Sequence, residues 1–282
     1  MIATLLTAVK SIAPTSTHII PSEGRDGVNA LTSHGDKVFV VRRRGEQVEV
    51  YDAGTFTLQR MHITPPGLGY PCGSAVCAQY RRLYVSDWYN NNIHGAELSG
   101  SNAVTKWSVA DSPRGLSVNK AHNVVVACFG ANKLQEYTTQ GTLVGEMSLQ
   151  QAGVTSPWHA VQLSTGDYMV SHCTSPGVVS VVGVNGQIVR TYKESQSSDV
   201  GQINYPRGPS VTQNHNILVA DDTTNRILSI NGSLSSAQVL AALSVDDGIQ
   251  EPWGLCLDES RGRLYVGEGG GKSRVLVFDV TF

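Results

Sequence analysis

Charged side chains are scarce in this sequence, since Asp, Glu, Lys and Arg make up 16% of the 282 residues and the net charge is −2. Non-specific affinity for nucleic acid comes from many Lys and Arg residues that neutralise phosphates. The charge balance therefore disfavours a general polyanion binder, and no DNA partner is expected. No apolar run approaches the roughly 18 residues that a membrane-spanning helix needs, so no membrane partner is expected either.

Disulfide and zinc-finger patterns are also missing. The cysteines are five, an odd number, and none of them stands in a CxxC motif; they are Cys72, Cys77, Cys128, Cys173 and Cys256. Scattered cysteines without ligand spacing are typical of reduced thiols in an intracellular protein. We therefore expect a cytoplasmic protein. No G-x-S-x-G elbow, phosphate-binding loop or paired-carboxylate motif occurs.

A strand-like apolar segment recurs six times along the chain. The copies are KVFVVR, RLYVSD, NVVVAC, DYMVSH, NILVAD and RLYVGE, which end at Arg42, Asp87, Cys128, His172, Asp221 and Glu268. Subtracting successive numbers gives separations of 45, 41, 44, 49 and 47 residues. Self-similarity at a period of this length indicates a repeat architecture.

Each copy has the same internal pattern. A turn such as Pro-x-Gly opens a short apolar strand, a polar turn and the recurring segment follow, and then come two strands with alternating side chains. Four short strands per repeat, without a helical period, predict the blades of a β-propeller. The fold expected is all-β: one six-bladed propeller domain of four-stranded antiparallel blades across residues 1–282.

The last repeat is one strand short at Phe282. The segment IATLLTAVK resembles the fourth strands of the other blades, so residues 2–10 are predicted to supply the outermost strand of the last blade. Closing the ring in this way removes the exposed sheet edges of an open array.

The phrases YPRGPSVTQNHNILVADDTTNRILSI and PRGLSVNKAHNVVVACFGANKLQEY resemble NHL repeats, whose pattern is Pro-x-Gly, apolar strand, Val-Ala-Asp and Asn-x-Arg-Ile. The resemblance covers nearly the whole chain after residue 27 and is weakest in blades one and four. It implies a propeller similar to the C-terminal domain of tripartite-motif ubiquitin ligases, which bind protein partners or RNA. The Cys/His-rich patterns of RING and B-box domains do not occur in the sequence.

In this topology the loops before each first strand and after each second strand share one surface, which we call the top face. Loops on a rigid scaffold are where functional residues concentrate. Trp158 and Trp253 are expected to pack between blades, and Trp88 and Tyr89 to be exposed. The residues predicted to bind a ligand there are Arg42, Arg43, Arg44, Trp88, Tyr89, Arg114, Lys133, Trp158, His159, Arg207, Arg226, Trp253 and Arg274.

His159 breaks a repeat position that is otherwise glycine. Its equivalents are Gly73, Gly115, Gly208 and Gly254 at the start of the innermost strands. A histidine beside the channel, with His172 in the same blade, makes these two residues the candidate metal ligands.

The acids that end the second strands are predicted instead to accept hydrogen bonds from backbone N–H groups of the following turn. Because the end-of-strand residues stand on different blades, no metal site and no other cofactor is predicted.

The function predicted from the sequence is a recognition scaffold without catalysis, monomeric as a domain, that binds a protein partner through the top face. Three alternatives stay open. Single-stranded RNA could bind the same face, for which Arg42 to Arg44 beside Arg274 is the best local case. A ring of related pockets could bind glycans as a lectin does. A metal-dependent hydrolase or lyase site could lie at the channel mouth.

Overall fold

Six antiparallel sheets surround a central axis in this computed structural model, which describes residues 17–21, 26–59, 62–99, 103–174, 176–192, 202–240, 248–270 and 272–280. The innermost strand of each sheet contacts the innermost strands of both neighbours, so the ring is closed. The predicted fold class, a six-bladed β-propeller, is confirmed. The helices of the described residues are two short 3₁₀ turns, Gln150–Ala152 and Asp222–Thr224, and neither could cross a membrane.

The blades follow one another in chain order, and each runs from the axis outwards. Blade 1 holds β2 (Val28–His34), β3 (Lys37–Arg42) and β4 (Val48–Asp52). Blade 2 holds β5 (Pro71–Cys77), β6 (Arg82–Asp87), β7 (Asn92–Glu97) and β8 (Val104–Ser108). Blade 3 holds β9 (Pro113–Val118), β10 (Val124–Cys128), β11 (Lys133–Tyr137) and β12 (Leu143–Ser148).

The second half of the ring repeats the arrangement. Blade 4 holds β13 (Pro157–Gln162), β14 (Tyr168–His172), β15 (Val178–Val182) and β16 (Ile188–Thr191). Blade 5 holds β17 (Pro206–Val211), β18 (Ile217–Asp221), β19 (Arg226–Ile230) and β20 (Ala237–Val239). Blade 6 holds β21 (Pro252–Asp258), β22 (Arg263–Glu268), β23 (Val275–Asp279) and, as its outer strand, β1 (Thr17–Ile20).

Blade 1 has the least regular outer edge. Its described sheet has three strands, and the fourth position is reached by two isolated bridges, Val48 with Ile63 and Tyr51 with Leu58. The chain of blade 1 therefore follows the course of a four-stranded blade, but its outermost segment makes only these two bridges to the sheet.

The N-terminal segment closes the ring, as expected, but a different stretch of it forms the strand. β1 pairs antiparallel with β23, from Thr17 opposite Phe278 to Ile20 opposite Val275. The residues predicted for this strand, 2–10, lie outside the described residues. The prediction that an N-terminal strand completes the last blade is therefore confirmed, and within the described residues that strand is Thr17–Ile20.

The core lies between blades. Each of six hydrophobic clusters is built from the facing sheets of two neighbouring blades. The second strands are buried on both faces, as in the pattern of β10 and β18, where every residue is buried. This explains why the apolar second strands were the clearest repeat signal in the sequence.

Asparagine side chains join neighbouring blades at the top face. Asn91, Asn132 and Asn225 follow a second strand with left-handed backbone, at φ of 50 to 54°, a conformation that Asn tolerates better than most residues. Each accepts a hydrogen bond at Oδ1 from the backbone N–H that precedes the next blade's first strand. The loops of the top face are therefore held in register from blade to blade.

Truncating Ile20 tests whether β1 closes the ring energetically as well as geometrically. Ile20 is completely buried in the cluster between blades 6 and 1, whereas its neighbour Ile19 is 49% exposed. Ile20→Ala is expected to lower the free energy of unfolding by about 2–4 kcal/mol in chemical denaturation because it leaves a cavity. Ile19→Ala is the matched control, with an expected change within about 0.5 kcal/mol; equal effects of the two substitutions would contradict a closing role for β1.

Candidate functional site

Two positions of every blade meet where the channel opens on the top face. One is the second residue of the inner strand, and the other is the residue directly after the second strand. In blades 1, 2, 3, 4 and 6 a backbone hydrogen bond of 2.8 to 3.1 Å recurs at this point. The residue after the second strand donates its N–H to the carbonyl of the residue that precedes the inner strand. The pairs are Asn29 and Arg43, Cys72 and Trp88, Arg114 and Phe129, Trp158 and Cys173, Arg207 and Asp222, and Trp253 and Gly269.

One member of each pair is an arginine or a tryptophan, and the two types alternate from blade 1 to blade 6. We call this set the Trp–Arg stack; its members are Arg43, Trp88, Arg114, Trp158, Arg207 and Trp253. All six are among the residues predicted from the sequence to bind a ligand, and their alternation becomes visible when the two pair positions are compared across the repeats. Each member is half-buried.

The stack is continuous over five contacts. The Arg114 guanidinium carbon lies 4.2 Å from the ring centre of Trp88 and 4.7 Å from that of Trp158. The guanidinium carbon of Arg207 lies 3.9 Å from Trp158 and 4.5 Å from Trp253, and that of Arg43 lies 5.6 Å from Trp253. A cation over an aromatic face at this range contributes about 0.5–2 kcal/mol, more as water is excluded. The stack therefore links all six blades at the channel mouth.

The arginines of the stack differ in their counter-ions. Arg207 donates from Nε to Oδ2 of Asp222 at 2.8 Å, and its terminal nitrogen lies 2.7 Å from the same oxygen. Among the described residues no carboxylate pairs with Arg114, whose terminal nitrogen lies 3.6 Å from Cys72 Sγ and whose Nε is buried without a hydrogen-bond partner. Both guanidinium groups therefore contact tryptophan rings, but among the described residues only that of Arg207 is paired with a carboxylate.

His159 packs against the neighbouring blade. Its imidazole lies so close to the Gly115 backbone that a Cβ at Gly115 would overlap the ring. Burial lowers the pKa of His159 to about 4 and that of His172 to about 4, so both are neutral at pH 7. Within the described residues no group of three or more His, Cys, Asp or Glu residues could hold a metal ion. The arrangement fits a packing role for both histidines.

Outside the stack, four predicted basic residues are held in ion pairs. Arg42 is buried, with Nε 2.7 Å from a Glu49 oxygen, and it also donates to the carbonyl of Ser273 in blade 6. Arg274 is likewise buried, with Nε 2.8 Å from Glu268. The expectation that these two side chains line the accessible top face is corrected, because they fasten blades 1 and 6 internally.

Arg226 and Lys133 pair with acids of their own blades, at 3.0 Å from the buried Asp221 and 2.8 Å from Glu146. Arg44 is exposed, and Tyr89 is 77% exposed. Trp158 and Trp253 lie between arginines of adjacent blades, as expected, and Trp88 is covered more than expected because Arg114 lies over it.

The acids that end the second strands do accept backbone hydrogen bonds, but chiefly from the preceding loop. Asp87 accepts from the N–H groups of Gly69 and Tyr70 at 2.9 and 3.1 Å. Asp221 accepts from Asn204 in the same way at 2.8 Å. The expected donors in the following turn contribute at Asp87 through Asn90, at 3.4 Å. These acids therefore shape the loop that leads into the inner strand.

No protein-family model matches the chain, and no curated protein matches it. Solved structures do resemble it. Virginiamycin B lyase from Staphylococcus aureus is 11% identical, with 94% of this chain and 99% of that chain covered and a TM-score of 0.67. A chain of the nidogen/laminin complex is 15% identical over 89% and 85%, with a TM-score of 0.65. The WD40 propeller domain of Doa1 is 15% identical over 95% and 97%, with a TM-score of 0.61.

At this level of identity the likeness shows the propeller fold, and the NHL resemblance gains no support beyond that fold. It also corrects one prediction. The chain was predicted not to be an enzyme, but lyases stand among its structural neighbours, so the absence of familiar motifs from its sequence does not exclude catalysis. That exclusion is withdrawn.

The packed histidines, whose pKa is lowered by partial or complete desolvation, predict a pH dependence of stability. An unfolded histidine has a pKa near 6.5, about 2.5 units above the value of about 4 that burial gives His159. As the pH falls below 6.5 the unfolded chain takes up the proton first, so the free energy of unfolding should fall until the pH reaches about 4. Urea denaturation at pH 7, 6 and 5 is expected to show a shallower fall for His159→Gln than for the wild type. Equal slopes would contradict a neutral, buried His159.

Proposed function

We propose that the chain is a recognition module that binds a protein partner through its top face, with the Trp–Arg stack as the centre of the contact. The observation that carries this proposal is the continuous stack of alternating Trp and Arg at the channel mouth. Trp, Tyr and Arg dominate the energetics of protein interfaces, where they form clustered anchors. The stack holds such side chains in fixed orientations, so little conformational entropy is lost on binding.

Exposed tyrosines extend the stack towards solvent. Tyr89 follows Trp88 directly and is 77% exposed, and Tyr205, which precedes the inner strand of blade 5, is 40% exposed. Tyrosine supplies a large amphipathic contact area with few rotatable bonds. A rigid half-buried centre with exposed aromatic residues at its rim is the anatomy of a protein-binding surface.

The charges favour a protein over RNA. The best basic cluster for RNA combined Arg42 to Arg44 with Arg274, and two of its four members are buried in ion pairs with Glu49 and Glu268. Phosphate binding would need several accessible cations along one track. The face that remains carries few uncompensated charges and many aromatic rings.

The top face also disfavours a lectin with six equal sites, because the stack positions alternate between Arg and Trp and neighbouring blades therefore present different residues. Similar structures support a protein partner to the extent that one of them is a chain of the nidogen/laminin complex. Binding at the top face is compatible with catalysis there, and chemical conversion of a bound ligand would show that the module is also an enzyme.

Selection from a displayed random peptide library tests the proposal with a matched pair of variants. Tyr89 and Tyr80 are both exposed tyrosines of blade 2, at 77% and 55%, but Tyr80 lies in the β5–β6 turn at the opposite end of the propeller. Tyr89→Ala is expected to weaken selected peptides about tenfold, the loss of one good aromatic anchor, and Tyr80→Ala to leave them unchanged.

Fluorescence anisotropy with each selected peptide provides the measurement, and thermal melts confirm that both variants fold. Failure to enrich any peptide, or an equal loss for the two tyrosine variants, would contradict binding at the top face. Enrichment of single-stranded RNA in a parallel selection, lost with Arg44→Glu, would assign the face to RNA instead.

A further inference from the structure

The repeat gives two arginines the same place and different neighbours. Arg114 and Arg207 are both the second residue of an inner strand, in the phrases PRGLSV and PRGPSV. In blade 5 the paired position after the second strand is Asp222, which neutralises Arg207 at 2.7 Å. In blade 3 that position is Phe129, whose ring centre lies 5.1 Å from the Arg114 guanidinium carbon. The fold therefore supplies a carboxylate to one arginine and an aromatic ring to the other.

The surroundings of Arg114 leave its charge uncompensated within the described residues. Three aromatic rings contact the guanidinium: Trp88, Trp158 and Phe129. Its Nε is buried without a hydrogen-bond partner, and its one recorded hydrogen bond goes to the weak acceptor Cys72 Sγ at 3.6 Å. A guanidinium offers five N–H donors and no acceptor. A partly buried cation with so few acceptors is strongly favoured to bind an anion.

Geometry restricts which anion fits best. The ring centres of Trp88 and Trp158 lie 4.2 and 4.7 Å from the guanidinium carbon, so aromatic rings contact the group and an anion must approach it along its N–H edge. A planar carboxylate can meet that edge with two parallel hydrogen bonds in the plane of the guanidinium. Asp222 binds Arg207 in the homologous place, which shows that a carboxylate is accommodated at this position of the repeat.

We propose that Arg114 is the anchor for a carboxylate of the partner, an acidic side chain or a C-terminal carboxylate that pairs with its guanidinium as Asp222 pairs with Arg207 in blade 5. This inference rests on the proposed function and adds its ligand chemistry: the partner presents an acidic segment to the channel mouth. Trp88 and Trp158 are specificity residues because they exclude water and enforce edge-on approach.

The internal symmetry of the repeat supplies the test. Phe129→Asp gives blade 3 the residue that blade 5 already holds, so an intramolecular ion pair should occupy Arg114 and block the ligand. Phe129→Leu removes the aromatic ring without adding charge and is the matched control. Arg114→Gln provides a second route to the same loss if Phe129→Asp does not fold, which thermal melts of each variant will show.

The probe is a fluorescein-labelled hexaglutamate peptide, with a hexaglutamine peptide and a thymidine hexanucleotide as comparisons, measured by anisotropy at constant ionic strength. Hexaglutamate is expected to bind at least about tenfold more tightly than hexaglutamine, since charge-assisted pairing adds more than 1.4 kcal/mol. Phe129→Asp and Arg114→Gln should each remove about that factor, whereas Phe129→Leu should change the affinity by less than about threefold.

Three results would overturn the assignment. Hexaglutamate could bind Phe129→Asp as well as the wild type, which would place the charge recognition elsewhere. The hexanucleotide could bind more tightly than hexaglutamate and be lost with Phe129→Asp, which would make phosphate the ligand group. Peptides selected through Tyr89 could bind equally when their Asp and Glu are replaced by Asn and Gln; the proposed function would then stand while the carboxylate anchor fell.

Discussion

The convergence of six inner strands on one axis is the constraint on which the rest of this structure depends. Where the strands enter the channel mouth, the third residue of the inner strand is glycine in blades 2, 3, 5 and 6, and atoms of the neighbouring blade approach it closely. A Cβ at Gly73 would overlap the carbonyl of Arg114, and one at Gly208 would approach the carbonyl of Trp253 to 2.6 Å. His159 stands in this series because Gly115 leaves space for its ring. The one blade without glycine among the five Pro-initiated strands is thus accommodated by the glycine of its neighbour.

The same convergence creates the Trp–Arg stack. In blades 3 to 6 the second residue of the inner strand carries a large side chain that lies along the mouth and contacts the side chain of a neighbouring blade, and in blades 1 and 2 the residue after the second strand takes this role. An arginine between two tryptophans satisfies both its charge and its flat faces, and alternation lets every indole contact a cation. The same Trp–Arg contacts therefore link neighbouring blades and determine which side chains the top face presents.

Much of this architecture could be predicted from the sequence, and the exceptions have identifiable causes. The second strands are buried on both faces, so their apolar runs carried a clear period, and the blade count followed. The closing strand was misplaced because outer strands are half exposed and short, and an apolar stretch such as IATLLTAVK satisfies their weak pattern as well as Thr17–Ile20 does. Arg42 and Arg43 differ by one residue, yet one is buried in an ion pair and the other joins the stack. Which of the two arginines is buried depends on the register of the strand and on contacts with Ser273 and Trp253 of blade 6, and neither can be read from the sequence around Arg42 and Arg43. The prediction that the chain is not an enzyme was wrong to rest on missing motifs, since lyases share this fold.

The central claim is that the arginines of the channel mouth are held rigidly against tryptophan rings, and the NMR signals of their guanidinium Nε–H groups test it most directly. Ring currents should shift the Arg114 and Arg207 resonances upfield of the value for free arginine, and exclusion of water should slow their exchange. Both signals should move back together in Trp158→Ala, since that indole contacts both side chains at 4.7 and 3.9 Å. Resonances at free-arginine positions in the wild type would contradict the stack and the recognition face built on it.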